Sequence, residues 1–348
     1  MTILRLLPLG LLAAAPLAAQ NVSRHTIRGP DVALYNLAGT VQIEAGSGDA
    51  VGVEVSRGGT DLGQLRIAEG DLGGRATLRV IYPGDEVRYP AFGNGSTELR
   101  VRDDGTFDDD DHGSRGRRVR ISNRQGGVEA WADLKIAVPA GRSLAVHLAV
   151  GKITATNVDG HIRLQAANAP ITVNDVRGTL GIDVGAGDVQ LTGAQGEVKV
   201  STGSGEVHIS RAKGRALSIE TGSGNVAASG LEADQLEVQT GSGDVRVTEV
   251  KAPQVRLETG SGGITVELHG DVARLDIDTG SGDVAITAPA NLSARLDMET
   301  GSGDINSDFP LSVTRSGRDH VRGTVGDGKG SISVETGSGE IRLLRARS

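Results

Sequence analysis

The chain has 348 residues, a formal net charge of −8, no cysteine and only 2% aromatic residues. The lack of cysteine excludes a disulfide framework and thiolate metal sites, and the mildly acidic balance argues against a nucleic-acid partner. So few aromatic residues exclude ring stacking as a general mode of recognition. The 52 glycines lie at fixed offsets in a repeat and are therefore not low-complexity filler.

Residues 1–19 are typical of a secretory signal peptide, with Arg5 first, then an apolar run, then small residues ending at Ala19. The alternative, a retained membrane anchor, is disfavoured because the run is short of the roughly 20 apolar residues that span a bilayer. We therefore expect an exported protein that is periplasmic, surface-located or extracellular. No transmembrane segment is expected in the mature chain.

Residues 20–57 alternate apolar and polar positions around a Gly-Ser-Gly-Asp turn at 46–49, so they are predicted to join the sheets of the later repeats. Residues 58–130 are predicted to be an irregular insertion. It contains short strands and a mobile acidic loop, and the strands are predicted at 76–81, 98–102 and 118–122.

The acidic loop is a weak candidate for calcium, through Asp108, Asp109, Asp110 and Asp111. It lacks the spaced Asp-x-Asp-x-Asp-Gly pattern with a distal Glu that calcium loops use. A run of like charges is more often a solvated segment, and the arginines that follow would balance it.

Residues 131–348 are predicted to be a repeat domain built on Thr-Gly-Ser-Gly. Each copy lies between two alternating segments, as in Leu236 and Val238 before the turn and Val245 and Val247 after it. This period of two is that of β-strands. A unit of about 19 residues cannot bury its apolar face alone and must stack on its neighbours. The sequence therefore predicts an all-β fold, a parallel β-solenoid (β-helix-like) with rungs of about 19 residues.

The threonine that opens each turn falls on the inward face, where its hydroxyl can bond the turn backbone. These structural turn or ladder positions are Thr202, Thr221, Thr240, Thr259, Thr279, Thr300 and Thr336. Between the last two lies a longer segment, 314–330, predicted as a long loop or hairpin before the last rung. We expect it to cover the end of the stack, because an open strand edge invites aggregation.

An acidic residue follows most turns and would form a ladder of carboxylates if the rungs stack. Its members are Asp188, Glu206, Asp244, Asp283, Asp304 and Glu340. Calcium could bind such a ladder, but we favour turn residues whose carboxylates accept local backbone N–H bonds. No cofactor is expected.

The segment from Leu236 to Val247 reads Leu-x-Val-x-Thr-Gly-Ser-Gly-Asp-Val-x-Val and resembles the DUF4097 family of bacterial proteins, which are often labelled adhesins. Val138-Pro-Ala-Gly before the first weak rung is similar too. The resemblance covers 131–348 well and 21–60 loosely. It implies an exported repeat protein and assigns no activity.

The seven histidines lack zinc spacing, and the turn serines lack the Gly-x-Ser-x-Gly elbow. We therefore predict a non-catalytic structural or adhesive protein of the cell envelope or surface. Its partner would be an unknown envelope macromolecule or another copy of the chain. The alternatives are a polysaccharide-active β-helix enzyme and a cation-binding repeat module. An ice-binding face is disfavoured because each rung is expected to offer one threonine, pointing inward.

Overall fold

The structure is a computed structural model that describes residues 21–107 and 116–346. The predicted signal peptide and the calcium candidates Asp108, Asp109, Asp110 and Asp111 lie outside the described residues. The described chain is almost entirely β-strand, and its repeats stack as a long parallel solenoid. The predicted fold class is confirmed.

The first ten strands precede the regular repeats. They are β1 (Val22–Ile27), β2 (Asp31–Gly46), β3 (Val51–Gly58), β4 (Arg66–Leu72), β5 (Arg75–Ile81), β6 (Glu86–Arg88), β7 (Ser96–Val101), β8 (Arg117–Ser122), β9 (Val128–Glu129) and β10 (Trp131–Pro139). Two short 3₁₀ helices lie among them, at Leu62–Gln64 and Pro90–Phe92.

The repeats follow in strands that first run through whole rungs and later break at the corners. They are β11 (Arg142–Asn168), β12 (Ile171–Ala186), β13 (Val189–Ser204), β14 (Val207–Ser223), β15 (Val226–Ser242), β16 (Val245–Lys251), β17 (Gln254–Thr259), β18 (Ile264–Leu268), β19 (Arg274–Thr279), β20 (Val284–Ala288), β21 (Ala294–Thr300), β22 (Ile305–Ser307), β23 (Ser312–Ser316), β24 (His320–Val325), β25 (Gly330–Thr336) and β26 (Ile341–Arg345).

Each rung has two arms joined by the Gly-Ser-Gly turn. The arms before the turn stack in parallel as what we name the first sheet, and the arms after it stack as the second sheet. Leu217 thus pairs with Leu236 in the first sheet, and Val207 pairs with Val226 in the second. The inward residues of both sheets are buried and form one continuous core. Each fully buried aliphatic side chain contributes about 1.5–3 kcal/mol.

The turn glycines are required by the close stacking of the rungs. A Cβ atom on Gly243, where φ is +136°, would lie 2.2 Å from the carbonyl oxygen of Gly224 in the previous rung. A side chain there would clash with the backbone and would also strain φ. The same close contact recurs in neighbouring turns, as between Gly262 and the carbonyl oxygen of Gly243.

A second corner, absent from the sequence analysis, returns the chain from the second sheet to the first. It places one residue per rung in the left-handed region, with φ between 53° and 74° at Asn157, Asp175, Gly193, Arg211, Gly230 and Glu249. The four of these that are not glycine are the non-glycine residues with positive φ in the described chain. A non-glycine residue there is strained by roughly 1–2 kcal/mol.

At the N-terminal end, β2 forms the first rung. Its start pairs in parallel with β5, its end pairs in parallel with β10, and β11 follows along its other edge. Gly39, and not the 46–49 segment, occupies the turn column, because a Cβ on Gly151 would lie 1.7 Å from the Gly39 carbonyl oxygen. The 46–49 segment instead connects β2 to β3, which runs antiparallel to β10.

Residues 58–130, for which the sequence predicts an irregular insertion, are more ordered than that description. Strands β4 and β5 form an antiparallel hairpin that extends the first sheet. Strands β6 to β9 form a separate four-stranded sheet. Phe107 from this region packs edge-on against Tyr35 and His147, which cover the outer side of the first rungs.

At the C-terminal end, the stacking order differs from the chain order. Strand β25 pairs in parallel with β19 on one side and with β21 on the other, so Ile332 lies between Leu275 and Leu296. The last rung of the chain is therefore the penultimate rung of the stack. Strands β23 and β24, which include most of 314–330, form an antiparallel hairpin against the outer edge of β21.

Candidate functional site

The threonine column lies inside the solenoid beside the turns. All seven threonines are buried, with at most 4% of their surface exposed. The Thr279 hydroxyl donates to the carbonyl oxygen of Gly262 at 3.0 Å, and the Thr259 hydroxyl to that of Gly243 at 3.1 Å. Thr221 differs, because its hydroxyl has no hydrogen-bond partner among the described residues. The other six threonines of the column thus each bond a turn carbonyl of the adjacent rung.

The acidic turn positions bond to the backbone of the adjacent rung. Asp244 Oδ1 accepts the N–H of Gly263 at 2.8 Å, and Asp283 Oδ1 accepts that of Glu340 at 2.8 Å. Asn225 does the same with its amide oxygen. The favoured role was to accept a local N–H bond, whereas the donor here lies in the next rung. Of the six acidic positions, Asp188, Asp244 and Asp283 make this bond. Within 21–107 and 116–346, no three His, Asp or Glu residues are arranged to hold a metal ion.

The outer face of the first sheet carries many charges of both signs. Arg274 pairs with Asp276 at 2.5 Å and Arg322 with Asp297 at 2.5 Å. A groove of about 480 Å³ crosses this face near the Arg75–Asp31 ion pair. Its lining mixes carboxylates with basic groups, so it does not favour one charge of ligand.

The outer face of the second sheet is different, and we name its central part the hydroxyl face. It consists of two outward rows that cross six consecutive rungs. One row is Thr154, Thr172, Gln190, His208, Ala227 and Arg246, and the other is Thr156, Asn174, Thr192, Ser210, Ser229 and Thr248. Ten of these twelve side chains carry no ionisable group.

The hydroxyl face corrects the expectation that each rung offers a single, inward threonine. That expectation considered only the threonine of the turn motif. The second arms add outward Thr and Ser residues two positions apart, as at Thr154 and Thr156. The alternation of apolar and hydroxyl residues after each turn was the signal that could have revealed this face.

A shallow depression of about 280 Å³, which we name the notch, lies in the hydroxyl face. Ala227 and Ser229 form its floor, between His208 on one strand and Arg246 on the next. The imidazole Nε2 of His208 lies 3.1 Å from the carboxylate of Glu206. Arg246 is exposed, and it forms no ion pair with any residue that the structure describes.

Two linked side-chain hydrogen bonds join the second sheet to the first at the N-terminal end of the solenoid. Ser23 Oγ lies 2.8 Å from Nε2 of His25, and Nδ1 of His25 lies 2.6 Å from Glu69 Oε1. Ser23 and His25 are on β1 of the second sheet and Glu69 is on β4 of the first. This hydrogen-bond order is that of a nucleophile, base and orienting acid. The sequence did not indicate it, because 44 residues separate His25 from Glu69.

Comparison with known proteins identifies the family to which this architecture belongs. The family model described as Toastrack DUF4097 matches residues 171–344, which is half of the chain. The chain belongs to the DUF4097, or Toastrack, family. The match begins at β12 and ends in β26, so the Toastrack segment contains the notch and all of the hydroxyl face except Thr154 and Thr156.

Two solved structures resemble the chain at low identity. One is a candidate cell adhesion protein from Clostridium sporogenes, at 11% identity and a TM-score of 0.23, covering 93% of this chain and 99% of the other. The second is a candidate adhesin from Bacteroides fragilis, at 10% identity and a TM-score of 0.32, covering 93% and 96%. These TM-scores are too low to support an argument about function. No curated protein matches the chain.

The described part of the chain holds no helix with the length and apolar character that crossing a bilayer requires.

Proposed function

We propose that the protein is an exported structural or adhesive component of the bacterial cell envelope or surface, and that it holds an envelope macromolecule on its hydroxyl face without catalysis. The observation that carries the proposal is the pair of straight outward rows over six rungs, in which seven of the twelve side chains carry a hydroxyl group. A repeated face suits a partner that is itself extended and repetitive.

Multivalency explains why such a face can bind well although each contact is weak. Once one rung engages a long partner, the neighbouring rungs are held close to its next unit, so their contacts form at a high effective concentration. The solenoid also fixes the spacing of the rungs at about 4.8 Å, so binding orders few groups. The affinity would then rise with the number of rungs that engage the partner.

The charged outer face of the first sheet fits a different role. Its ion pairs, such as Arg274–Asp276, are exposed and contribute little to stability. Together with the net charge of −8 they favour solubility of an exported protein and disfavour nucleic acid. Binding is therefore assigned to the second sheet.

A pull-down of the mature chain, residues 20–348, against envelope fractions of its host tests the proposal. Thr192→Glu with Ser229→Glu places two charges in the hydroxyl face, and we expect it to abolish most of the capture. Ser201→Glu with Ser218→Glu, on the outer face of the first sheet, is the matched control and should bind as the parent does. Equal capture of both double variants, or no capture of the parent, would contradict the proposal.

One observation favours a second candidate function, acyl transfer at Ser23. In that case Ser23 Oγ would attack an ester carbonyl carbon while Nε2 of His25 takes its proton, with Glu69 orienting the imidazole. The ester C–O bond would break, His25 would return the proton to the leaving alcohol, and water would then hydrolyse the acyl-Ser23. Labelling with a fluorophosphonate probe, followed by mass spectrometry, tests it. Labelling of Ser23 that is lost in His25→Ala would establish this function, and an unlabelled parent chain would eliminate it.

A further inference from the structure

We propose that the notch binds one sugar ring of an uncharged polysaccharide, with the chain of the polysaccharide running along the hydroxyl face. This inference rests on the proposed function and names the class of its partner. It assigns the floor to Ala227 and Ser229 and the walls to His208 and Arg246. The shape of the notch, its hydrogen-bonding capacity and the charges around it support this assignment.

The shape of the notch comes from one small residue between two long ones. His208, Ala227 and Arg246 are paired neighbours on three consecutive strands of the second sheet. Strands in a sheet are about 4.8 Å apart, so the two walls stand roughly 10 Å from each other. The methyl group of Ala227 leaves the space between them open, as the depression of about 280 Å³ shows.

The hydrogen-bonding groups around the notch match a ligand rich in hydroxyl groups. Ser210, Ser229 and Thr248 form the parallel row beside it, and each hydroxyl can donate and accept. The Arg246 guanidinium offers five N–H donors that no described side chain uses. The Glu206 carboxylate holds the imidazole of His208 beside the notch. Both sugar hydroxyls and ring oxygens would find partners.

The charges near the notch favour a neutral ligand. Glu206 and Asp244 border it at the turn edge, and their carboxylates would repel an anionic polymer. Arg246 would repel a cationic one. With both signs present at the border and ten of twelve side chains of the face lacking an ionisable group, an uncharged chain incurs no electrostatic penalty along the six rungs.

Ice is the other uncharged partner with a regular surface, and the face suits it less. Recognition of a lattice needs the same side chain at each step. The row through Thr154 and Thr172 changes to Gln190 and then to the notch residues, so the regular step is lost. A polysaccharide, whose rings can tilt and rotate about their linkages, tolerates such variation.

Affinity electrophoresis of the mature chain tests the inference with defined polymers. The probes are dextran, a soluble β-glucan and a soluble chitin derivative as neutral polymers, and polygalacturonate as an anionic one. We expect at least one neutral polymer to retard the protein and polygalacturonate to have no effect. Ala227→Gln, which fills the notch, and Arg246→Gln, which removes the guanidinium, should each weaken the retardation about tenfold, or about 1.4 kcal/mol.

The control is Ala285→Gln. Ala285 continues the same outward row beyond the hydroxyl face, paired with Thr265, so the substitution is chemically identical and lies outside the notch. Retardation by no neutral polymer, or equal retardation of the Ala227 and Ala285 variants, would overturn the inference. So would inhibition of ice recrystallisation by the parent chain without any retardation.

The inference and the proposed function can fail separately. If the parent chain captures an envelope fraction through the hydroxyl face but periodate oxidation of the glycans in that fraction leaves capture unchanged, the polysaccharide is wrong and the binding face stands. If the parent chain captures no envelope fraction at all, the proposed function is wrong.

Discussion

The Thr300 hydroxyl donates a hydrogen bond to the carbonyl oxygen of Gly339 at 3.0 Å, across 39 residues of sequence. At four other turns the acceptor belongs to the preceding repeat, 15 to 17 residues back, as with Thr279 and Gly262. Thr336 donates to the Gly282 carbonyl oxygen, 54 residues back. The reversal shows that the last repeat of the chain lies beneath the Thr300 repeat. The C-terminal strands β25 and β26 are thus an internal rung.

This order predicts the outcome of two deletions. A chain that ends at residue 325 loses β25 and β26 from inside the stack, so β19 and β21 both lose a partner. We expect a broad, low-temperature melting transition for it. A deletion of 293–325 removes only the outer rung and its hairpin, and Gly326 already lies near the Leu292 carbonyl oxygen. That variant should melt cooperatively near the parent. Stacking in chain order predicts the opposite ranking of the two melting temperatures.

The strand register predicts opposite effects at two adjacent residues. Val245 is 1% exposed and faces the core, where an unpaired carboxylate is costly, so Val245→Asp should destabilise the fold by several kcal/mol or prevent folding. Arg246 points to solvent, and Arg246→Asp should change the free energy of unfolding by about 0.5 kcal/mol or less. Thermal melts followed by circular dichroism distinguish them, and equal melting temperatures would show that the register is wrong.

The threonine column predicts a position-dependent effect of losing a hydroxyl. Thr279→Val removes a bond to the Gly262 carbonyl oxygen and should cost about 0.5–1.5 kcal/mol. Thr221 is equally buried, but its hydroxyl has no partner among the described residues, so Thr221→Val should be neutral or slightly stabilising. Urea denaturation of the two variants measures the difference, and an equal loss would mean that the hydroxyl bonds add nothing.

The second corner predicts a stabilising glycine. Glu249 has φ of 54°, so Glu249→Gly relieves strain that exceeds the entropic cost of glycine and should stabilise the fold by about 0.5–1 kcal/mol. Gln239, which lies in regular alternation between buried Val238 and Thr240 on β15, is the control, and Gln239→Gly should destabilise by about 0.5–1 kcal/mol. A loss of stability in both variants would contradict the role assigned to the corner.

Local patterns predicted the repeat well, because a period of two assigns each residue to a face wherever one face is buried. Leu236, Val238 and Thr240 point inward for that reason. The turn was equally readable, since Gly243 has both a close backbone contact and a positive φ. These features depend on neighbours in the sequence or on one step of the repeat.

The remaining features depend on contacts that local pattern does not encode. Four rungs have Asn, Asp or Gly at the left-handed position of the second corner, but Arg211 and Glu249 occupy it in the other two, so residue type marks the corner only in part. The position of β25 in the stack depends on its pairing with the edges of β19 and β21, which are distant in the sequence. The hydroxyl face could have been predicted from the sequence, but the prediction considered only the inward threonine of the turn motif. Predicting the notch would have required the register of three neighbouring strands.

The most direct test of the central claim, that the hydroxyl face binds through its repeated rungs, is the affinity of rung-deletion variants for the envelope fraction that the parent chain captures. Deleting 186–203 removes the rung that carries Gln190 and Thr192, which also line one edge of the notch, and leaves its floor and both walls in place. Deleting 260–279 removes a rung outside the hydroxyl face and is the matched control. Circular dichroism verifies that both variants fold. We predict a graded, severalfold loss of affinity for the deletion of 186–203 and no change for the deletion of 260–279. Equal affinities of the two deletion variants, or binding abolished by a single outward substitution in an intact fold, would contradict the central claim.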